Sequence, residues 1–228
     1  MDDDGGAPGQ WLTLRARRDV HRRAAALREQ ASGSVLELGD EDGVAALHAR
    51  VDAAEIYDTV VSILRLGAKA VGLDVLRRPD ALDPANVEAV RRSKLTYLAG
   101  TSPMHLRSVL KDTPLWDALL ASYADGAVIA GSSAGAMVLC DPMVDPRGGA
   151  FTLGLGLLGG MTIIPAADTW SDDKSHRTLR LAPKGLIVAA VDERTALLRD
   201  ADGTWRAEGV GEVVAYRDHQ PIGLDELP

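Results

Sequence analysis

Residues 127–140 read AVIAGSSAGAMVLC and place Ser133 between an apolar run and a second apolar segment. The first run predicts a buried strand, and the second predicts a helix. A serine at a strand-to-helix turn, with Gly131 and Gly135 two positions to either side, matches the G-x-S-x-G pattern of a nucleophile elbow. A turn of small residues kept only for close packing would use the same five letters. The predicted strand before Ser133 and the predicted helix after it therefore favour a nucleophile elbow over a packing turn.

Strand and helix patterns alternate along most of the chain, which predicts an α/β fold: a doubly wound, mainly parallel sheet flanked by helices. Four short strand patterns between residues 185 and 221 predict antiparallel strands near the C-terminus. No linker indicates a second domain, so we expect one domain over residues 11–228 behind a flexible tail at 1–10. Strands are predicted at 11–15, 34–38, 70–76, 95–100 and 127–131, and helices at 16–32, 51–67, 83–93, 102–111 and 114–126.

Composition excludes several classes of protein. The formal charge of −8 argues against a broad nucleic-acid surface, and no apolar run has membrane-spanning length. Cys140 is the only cysteine, so neither an internal disulfide nor a multi-cysteine zinc site can form. We expect a cytoplasmic protein with no cofactor, no metal, no nucleic-acid partner and no membrane partner.

Three segments together resemble one known family. YLAGTSPMHLRSVLKDTPLWDALLASYADGAVIAGSSAGAMVL (97–139), GLGLL (154–158) and VDERTALL (191–198) look like the peptidase S51 family of dipeptidase E and cyanophycinase. The resemblance implies serine hydrolases with a flavodoxin-like fold similar to class I glutamine amidotransferases. It also implies a small peptide, isopeptide or amino-acid-derived substrate.

By position, Ser133 resembles the family nucleophile, and the amide of Ala134 and the glycine turn at Gly100 resemble its oxyanion hole. Local sequence alone leaves the second oxyanion amide open between Gly100 and Thr101. It is equally consistent with a helix that begins there and is capped by Thr101 or Ser102.

The chain departs from the family pattern in two places. The family histidine follows a strand, whereas this chain has Pro165-Ala166-Ala167, so Ala166 stands where the imidazole is expected. The N-terminal strand also lacks the glycine-rich loop that usually follows it. Because a serine hydroxyl is a poor nucleophile without a base, the histidine position decides whether the site works.

The strongest remaining candidate for the base is His176, which a shifted loop would have to bring to Ser133. A substrate-binding or structural role is the alternative for it. The other histidines are His21 and His48 in segments expected to be helical and exposed, His105 on the helix after Gly100, and His219 in a late turn.

Asp145 is the predicted acid partner, although turn formation before Pro146 explains it equally well. Arg177 and Arg180 resemble basic residues that follow the family histidine, where they would clamp a substrate carboxylate or form surface salt bridges. The alternative acids are Asp141, Asp168, Asp192 and Glu193.

Two functions remain open at this stage. One is an active serine hydrolase that uses Ser133, with His176 or another base. The other is a pseudoenzyme or redirected binding protein that keeps the elbow, with Ala166 as either a natural loss or an engineered replacement of histidine. A homodimer through an edge strand or an apolar helix face is compatible with both.

Overall fold

The computed structural model of the chain describes residues 43–49 and 69–228. The predicted tail, the strands expected at 11–15 and 34–38, and the helices expected at 16–32 and 51–67 lie outside them. The strands are β1 (Gly43–Ala49), β2 (Lys69–Leu73), β3 (Leu95–Gly100), β4 (Val128–Gly131), β5 (Cys140–Asp141), β6 (Met143–Val144), β7 (Phe151–Thr152), β8 (Leu158–Gly159), β9 (Met161–Pro165), β10 (Ile187–Val191), β11 (Thr195–Arg199), β12 (Trp205–Gly209), β13 (Val213–Arg217) and β14 (Gln220–Ile222). The helices are α1 (Pro84–Arg92), α2 (Pro103–Leu110), α3 (Pro114–Ala124), α4 (Ala134–Val138) and α5 (Asp172–Leu181).

A parallel sheet with strand order β2-β1-β3-β4 forms one half of the fold. Helix α1 connects β2 to β3, and helices α2 and α3 connect β3 to β4. Strands that run in the same direction need such crossover connections, because a tight hairpin would reverse the chain direction. The predicted α/β class with parallel strands is confirmed.

A second sheet has the order β14-β13-β10-β9. Strands β9 and β10 are parallel and are connected through α5, whereas β13 and β14 add to them in antiparallel orientation. Strands β11 and β12 form a separate antiparallel pair. Antiparallel strands near the C-terminus are therefore present as the sequence predicts, but the first of the four predicted segments, β10, is also parallel to β9.

Helices α1 to α3 begin in the same way. The side chains of Asp83, Ser102 and Thr113 each accept a hydrogen bond from a backbone amide two or three residues further on. A proline occupies the first helical position after each of them. The oxygen satisfies an amide that the helix cannot, and proline has no amide to lose there. The cap of α2 is Ser102, which settles the alternative with Thr101.

The expectation that His48 lies in a helix is wrong. His48 belongs to β1, where it is in register with Ala99 of β3. The alanine-rich segment 43–49 favours a helix locally, but pairing with β2 and β3 on both sides overrides that preference.

The largest apolar cluster packs the helices against the first sheet and reaches the underside of the elbow. Leu98, Leu115, Leu119 and Val138 are completely buried in it. Burial of each such side chain stabilises the fold by about 1.5–3 kcal/mol. The turn between β4 and α4 therefore packs against the apolar core.

Over the part of the chain that the structure describes, no helix is long and apolar enough to cross a membrane.

Candidate active site

Ser133 lies between the end of β4 and the start of α4, in an uncommon backbone conformation. Its φ and ψ are +48° and −121°, and its side chain is exposed. A residue with a Cβ rarely adopts positive φ, and such strain collects where the surrounding structure enforces it. The turn therefore presents the serine to solvent at the carboxyl end of the parallel sheet, where ligands of open α/β sheets bind.

Glycine is required on both sides of this turn. A Cβ at Gly131 would lie 2.6 Å from the carbonyl carbon of Gly135. A Cβ at Gly135 would overlap the carbonyl oxygen of Leu98 and lie 2.6 Å from its carbon. The two glycines let β4, α4 and β3 approach closely enough to form the turn.

Backbone amides converge beside the serine. The amides of Gly135 and Ala136 donate to the Ser132 carbonyl at 2.7 and 3.4 Å, and that of Met137 donates to Ser133 at 3.1 Å. Among the described residues, the Ala134 amide has no acceptor. This amide immediately follows the serine, the position that contributes to an oxyanion hole in a nucleophile elbow.

The end of β3 lies next to the elbow. Leu98 is in register with Gly131, and its carbonyl accepts the amide of Ser132 at 3.1 Å. Gly100 and the exposed Thr101 follow two and three residues later, at the same edge of the sheet. The structure thus brings the predicted oxyanion residues and the predicted nucleophile to one edge.

Position 166 lies at the carboxyl end of β9. Ala166 is half-buried and has left-handed φ and ψ of +50° and +47°. Its carbonyl accepts hydrogen bonds from the amide and hydroxyl of Thr169, at 3.0 and 2.7 Å. These bonds hold the short turn that follows the strand.

Acidic residues follow the neighbouring strand. Because Val191 of β10 is in register with Pro165, Asp192 and Glu193 leave the sheet beside position 166. The Glu193 amide donates to Asp168 at 2.8 Å, and Asp192 accepts the Glu212 amide at 3.0 Å.

Glu193 is half-buried, and its carboxylate has no hydrogen-bond or ion-pair partner within the described residues. Sequence reasoning named Glu193 only as an alternative acid. The signal that could have singled it out is its place two residues after β10, a buried strand that is parallel to β9.

His176 and Arg180 lie on the exposed side of α5. The opposite side faces the 145–150 loop, where the buried Thr178 accepts the Gly149 amide at 2.8 Å. Among the described residues, no hydrogen bond connects His176 to Ser133. His176 therefore lies on the solvent side of α5, and no described hydrogen bond holds it toward the elbow.

Arg177 has partners within the protein. Its guanidinium donates to the Arg147 carbonyl at 3.3 Å and lies 3.5 Å from the Asp173 carboxylate. Its stem would collide with a Cβ at Gly149. These contacts give Arg177 a packing role, while the predicted substrate contacts of Arg177 and Arg180 stay predictions.

Asp145 is buried and paired with Arg147. The Arg147 guanidinium donates to both carboxylate oxygens, at 2.9 and 2.6 Å, and its amide donates at 2.8 Å. The hydrogen bond from the Arg147 side chain is the main reason why the pKa of Asp145 falls to about 2. This carboxylate stays ionised and fixes the turn before β7, and its predicted role beside a catalytic histidine stays a prediction.

The remaining titratable candidates have structural surroundings. The His105 Nε2 atom lies 2.9 Å from the Leu76 carbonyl oxygen, and His219 is exposed in the turn before β14. Cys140 is completely buried, and burial raises the pKa of its thiol to about 12. A thiol that stays protonated in the core is not a nucleophile at neutral pH.

A serine at positive φ between a parallel strand and a helix, with close-packed glycines on both sides, defines an α/β protein of the nucleophile-elbow class. The model of Peptidase family S51 matches residues 47–203, more than half of the chain. The chain belongs to peptidase family S51.

Curated relatives are cyanophycinases from Synechococcus elongatus and Thermosynechococcus vestitus, each 28% identical over 176 residues. The match covers 68% of this chain but 54% of either relative, so the chain spans about half of their length.

Two solved structures share the fold. A peptidase from an acI-B1 Actinobacterium has a TM-score of 0.68 at 24% identity and covers 89% of this chain and 86% of its own. A putative peptidase E protein from Listeria monocytogenes EGD-e has a TM-score of 0.55 at 15% identity, covering 84% and 92%.

Proposed function

We propose that this chain carries a serine hydrolase site of the S51 type for small peptide or isopeptide bonds. Ser133 is the nucleophile, and position 166, where the base is expected, holds alanine. The observation that carries the proposal is the strained, exposed conformation of Ser133 above Gly131 and Gly135. Membership of a peptidase family and similarity to cyanophycinases support a peptide-like substrate.

The backbone supplies part of the chemistry. As the Ser133 oxygen attacks a carbonyl, the Ala134 amide and an amide of the Gly100 turn donate to the oxygen that becomes negative. Removing one such donor from a hydrolase typically lowers kcat by about 100- to 1000-fold, so these amides are a large part of the rate enhancement. They do not depend on the side chain at position 166.

Proton transfer is the part that position 166 does not supply. The serine proton must leave as the oxygen attacks, and the methyl group of Ala166 cannot accept it. Without a base, hydrolases of this kind keep only the residual catalysis of binding and oxyanion stabilisation. We propose that Glu193 is the carboxylate that would orient an imidazole at position 166, in preference to Asp145, which is bonded to Arg147.

A second candidate function is binding without turnover. It is favoured by alanine at position 166 and by the exposed placement of His176. In that case the elbow holds a peptide or an amino-acid derivative that is not cleaved. Natural loss and deliberate replacement of a histidine predict the same behaviour for the chain as it stands.

The same proposal treats residues 11–228 as one domain in the cytoplasm. The proposed location is supported by the single cysteine, Cys140, which is buried and free and so needs no oxidising compartment. Limited proteolysis with mass mapping of the first cleavage site tests the domain boundary: a stable fragment that begins well after residue 11 would contradict it.

Covalent labelling by a fluorophosphonate tests the hydrolase site. The variants are the unaltered chain, Ala166→His, Ala166→Asn, and Ser133→Ala combined with Ala166→His, each read by intact mass. Histidine and asparagine both tolerate left-handed backbone, so the asparagine variant controls for size and polarity without a base. Because a positioned base contributes about 100- to 10,000-fold, Ala166→His should be labelled at least ~100-fold faster than Ala166→Asn.

The outcomes distinguish the candidates. Labelling that appears with Ala166→His and disappears with the added Ser133→Ala supports the proposal. Adding Glu193→Gln to Ala166→His should slow labelling, whereas Asp145→Asn should not. Rapid labelling of the unaltered chain that His176→Ala abolishes would instead make His176 the base. No labelling of a folded Ala166→His variant would sink the proposal.

A further inference from the structure

The GLGLL segment (154–158) caps the C-terminal end of α4, the helix that follows the elbow. The Leu155 amide donates to the Val138 carbonyl at 2.8 Å. The Leu158 amide donates to the Leu139 carbonyl at 2.9 Å. Because the last carbonyls of a helix have no partner within it, these bonds supply what α4 lacks. The segment thereby fixes the end of α4 that is opposite the proposed oxyanion amide.

Gly154, the first residue of this segment, is buried and contacts three neighbours. Its amide donates to the Asp141 carboxylate at 3.2 Å, and a Cβ on it would overlap the Cys140 carbonyl oxygen. Only glycine therefore fits so close to the chain that leaves α4. The Gly154 carbonyl oxygen accepts a hydrogen bond from the Nε atom of Arg107 at 3.0 Å.

Arg107 extends this contact to α2. It is half-buried in the second turn of α2, and this helix begins three residues after Gly100. Helices α2 and α4 also pack against each other, and Leu106, Val138 and Leu155 share one apolar cluster. One guanidinium thus connects the helix that follows the first proposed oxyanion amide to the segment that caps the helix of the second.

We infer, on the basis of the proposed function, that Arg107 is a positioning residue of the hydrolase site. By holding α2 to the 154–158 segment, it fixes the separation between the amides of Gly100 and Ala134. It acts through the Gly154 carbonyl and makes no contact with the reacting atoms. The property that matters is the hydrogen bond from Nε, and the positive charge is not required.

An oxyanion hole tolerates little displacement of its donors. Each donor must lie about 2.7–3.1 Å from the oxygen that becomes negative. In the proposed site the two amides belong to different segments, whose strands are held together by the register of Leu98 with Gly131. The helices beyond those strands need their own connection, because a tilt of either one would change the separation of the amides. A misplacement of about 1 Å caused by a distant substitution can lower a rate by about 100-fold.

Two substitutions separate the hydrogen bond of Arg107 from the bulk of its side chain. In Arg107→Gln, the amide nitrogen has the same place along the side chain as Nε and can still donate. In Arg107→Met, a methyl group takes that place and cannot donate. The matched control is Arg78→Met, because Arg78 donates to three carbonyls at the C-terminal end of α2, those of Ser108, Lys111 and Asp112.

Fluorophosphonate labelling of Ser133 in the Ala166→His chain gives the first readout. Measuring it against reagent concentration separates the maximal rate from the half-saturating concentration. Arg107→Met should lower the maximal rate by about 10- to 100-fold with little change in the half-saturating concentration, because the oxyanion forms only in the transition state. Arg107→Gln should stay within a few-fold of its parent. Arg78→Met should lower Tm but leave the maximal rate of the folded protein unchanged.

A peptide boronic acid gives a second readout that needs no histidine at position 166. Its boron bonds to the Ser133 oxygen, the hydroxyl proton passes to the buffer, and a negative boronate oxygen takes the place of the oxyanion. Titration calorimetry at alkaline pH measures this binding in the unaltered chain, with Ser133→Ala as the control without a nucleophile. Arg107→Met should weaken binding by at least ~10-fold, and Arg107→Gln and Arg78→Met should not.

Failure of this inference is distinguishable from failure of the proposed function. If Ala166→His is labelled and Arg107→Met leaves its maximal rate unchanged, the hydrolase site stands and the positioning role is refuted. Equal losses for Arg107→Met and Arg107→Gln, or for Arg107→Met and Arg78→Met, also refute it, as does an Arg107→Met chain that does not fold. If Ala166→His is not labelled, the affinities for the boronic acid decide the role of Arg107. If Ser133 neither reacts with fluorophosphonate nor binds the boronic acid in any folded chain, both proposals fall.

Discussion

Replacing Ser133 by glycine separates the backbone strain of the elbow from its chemistry. Ser133→Gly and Ser133→Ala both remove the hydroxyl, so neither variant can act as a nucleophile. They differ in the Cβ, which is the group that makes φ of +48° and ψ of −121° unfavourable. We therefore expect the glycine variant to be the more stable of the two.

The size of the effect follows from two opposing contributions. A non-glycine residue in a sparsely populated region of φ/ψ space costs about 1–3 kcal/mol, which glycine avoids. Glycine also gives the unfolded chain more freedom, which costs about 0.4–1 kcal/mol. The net advantage of Ser133→Gly over Ser133→Ala should be about 0.5–2 kcal/mol, or about 1–8 °C in Tm for a chain of this size.

Urea unfolding followed by circular dichroism measures the difference, with Ala136→Gly as the matched control. Ala136 lies inside α4, where helical backbone favours alanine, so its replacement should destabilise the protein by about 1 kcal/mol. Exchanging alanine for glycine should thus raise the free energy of unfolding at position 133 and lower it at position 136. If Ser133→Gly is no more stable than Ser133→Ala, the elbow is not strained in solution and the main support for the hydrolase site is lost.

Two further predictions concern the surroundings of the site. Gly135→Ala would force its Cβ to within 2.6 Å of the Leu98 carbonyl carbon, so it should destabilise the fold by about 1–3 kcal/mol in urea unfolding. Gly159→Ala, whose Cβ meets nothing within 4 Å, should be nearly neutral, and equal effects would contradict the packing argument. Asp145→Asn loses the bond to Arg147 and should destabilise by about 1–3 kcal/mol at pH 6. Because the pKa of Asp145 falls from 3.8 unfolded to about 2 folded, the advantage of aspartate is complete above about pH 4 and disappears as the pH falls toward 2; a constant difference across that range would refute the pairing.

The elements from residue 84 to residue 131 were predictable because their signals are local. A capping oxygen followed by proline marks the start of α1 to α3, and the prediction of a strand at 95–100 coincides with β3. β1 was not predictable, because GVAALHA has weak strand preference and becomes a strand only through its two parallel neighbours. Non-local pairing of this kind leaves no signature in a short window.

The candidate site divides in the same way. The elbow could be found from the sequence because its requirement, glycine on both sides of Ser133, is written in five adjacent residues. The pairing of Asp145 with Arg147 was missed because the prolines around it point equally to a turn and to a site. Glu193 could not be preferred over the other acids from the sequence, because only the structure shows that Asp168 and Asp192 already accept backbone amides.

Ala166 and Ser133 share an uncommon backbone conformation. Both have positive φ without being glycine, and both follow a parallel strand at its carboxyl end. An alanine gains no packing from a left-handed backbone, whereas histidine and asparagine adopt that backbone more readily than most residues. The turn at position 166, held by Thr169, thus has a backbone conformation that histidine would also tolerate. A chain in which the whole site had lost its function would have no need to keep two turns in unfavourable backbone conformations. In the proposed site, the nucleophile and the oxyanion amides depend on backbone that the structure retains, and the base depends on one side chain. Restoration by the single substitution Ala166→His is therefore the outcome that separates a disarmed hydrolase from an eroded one.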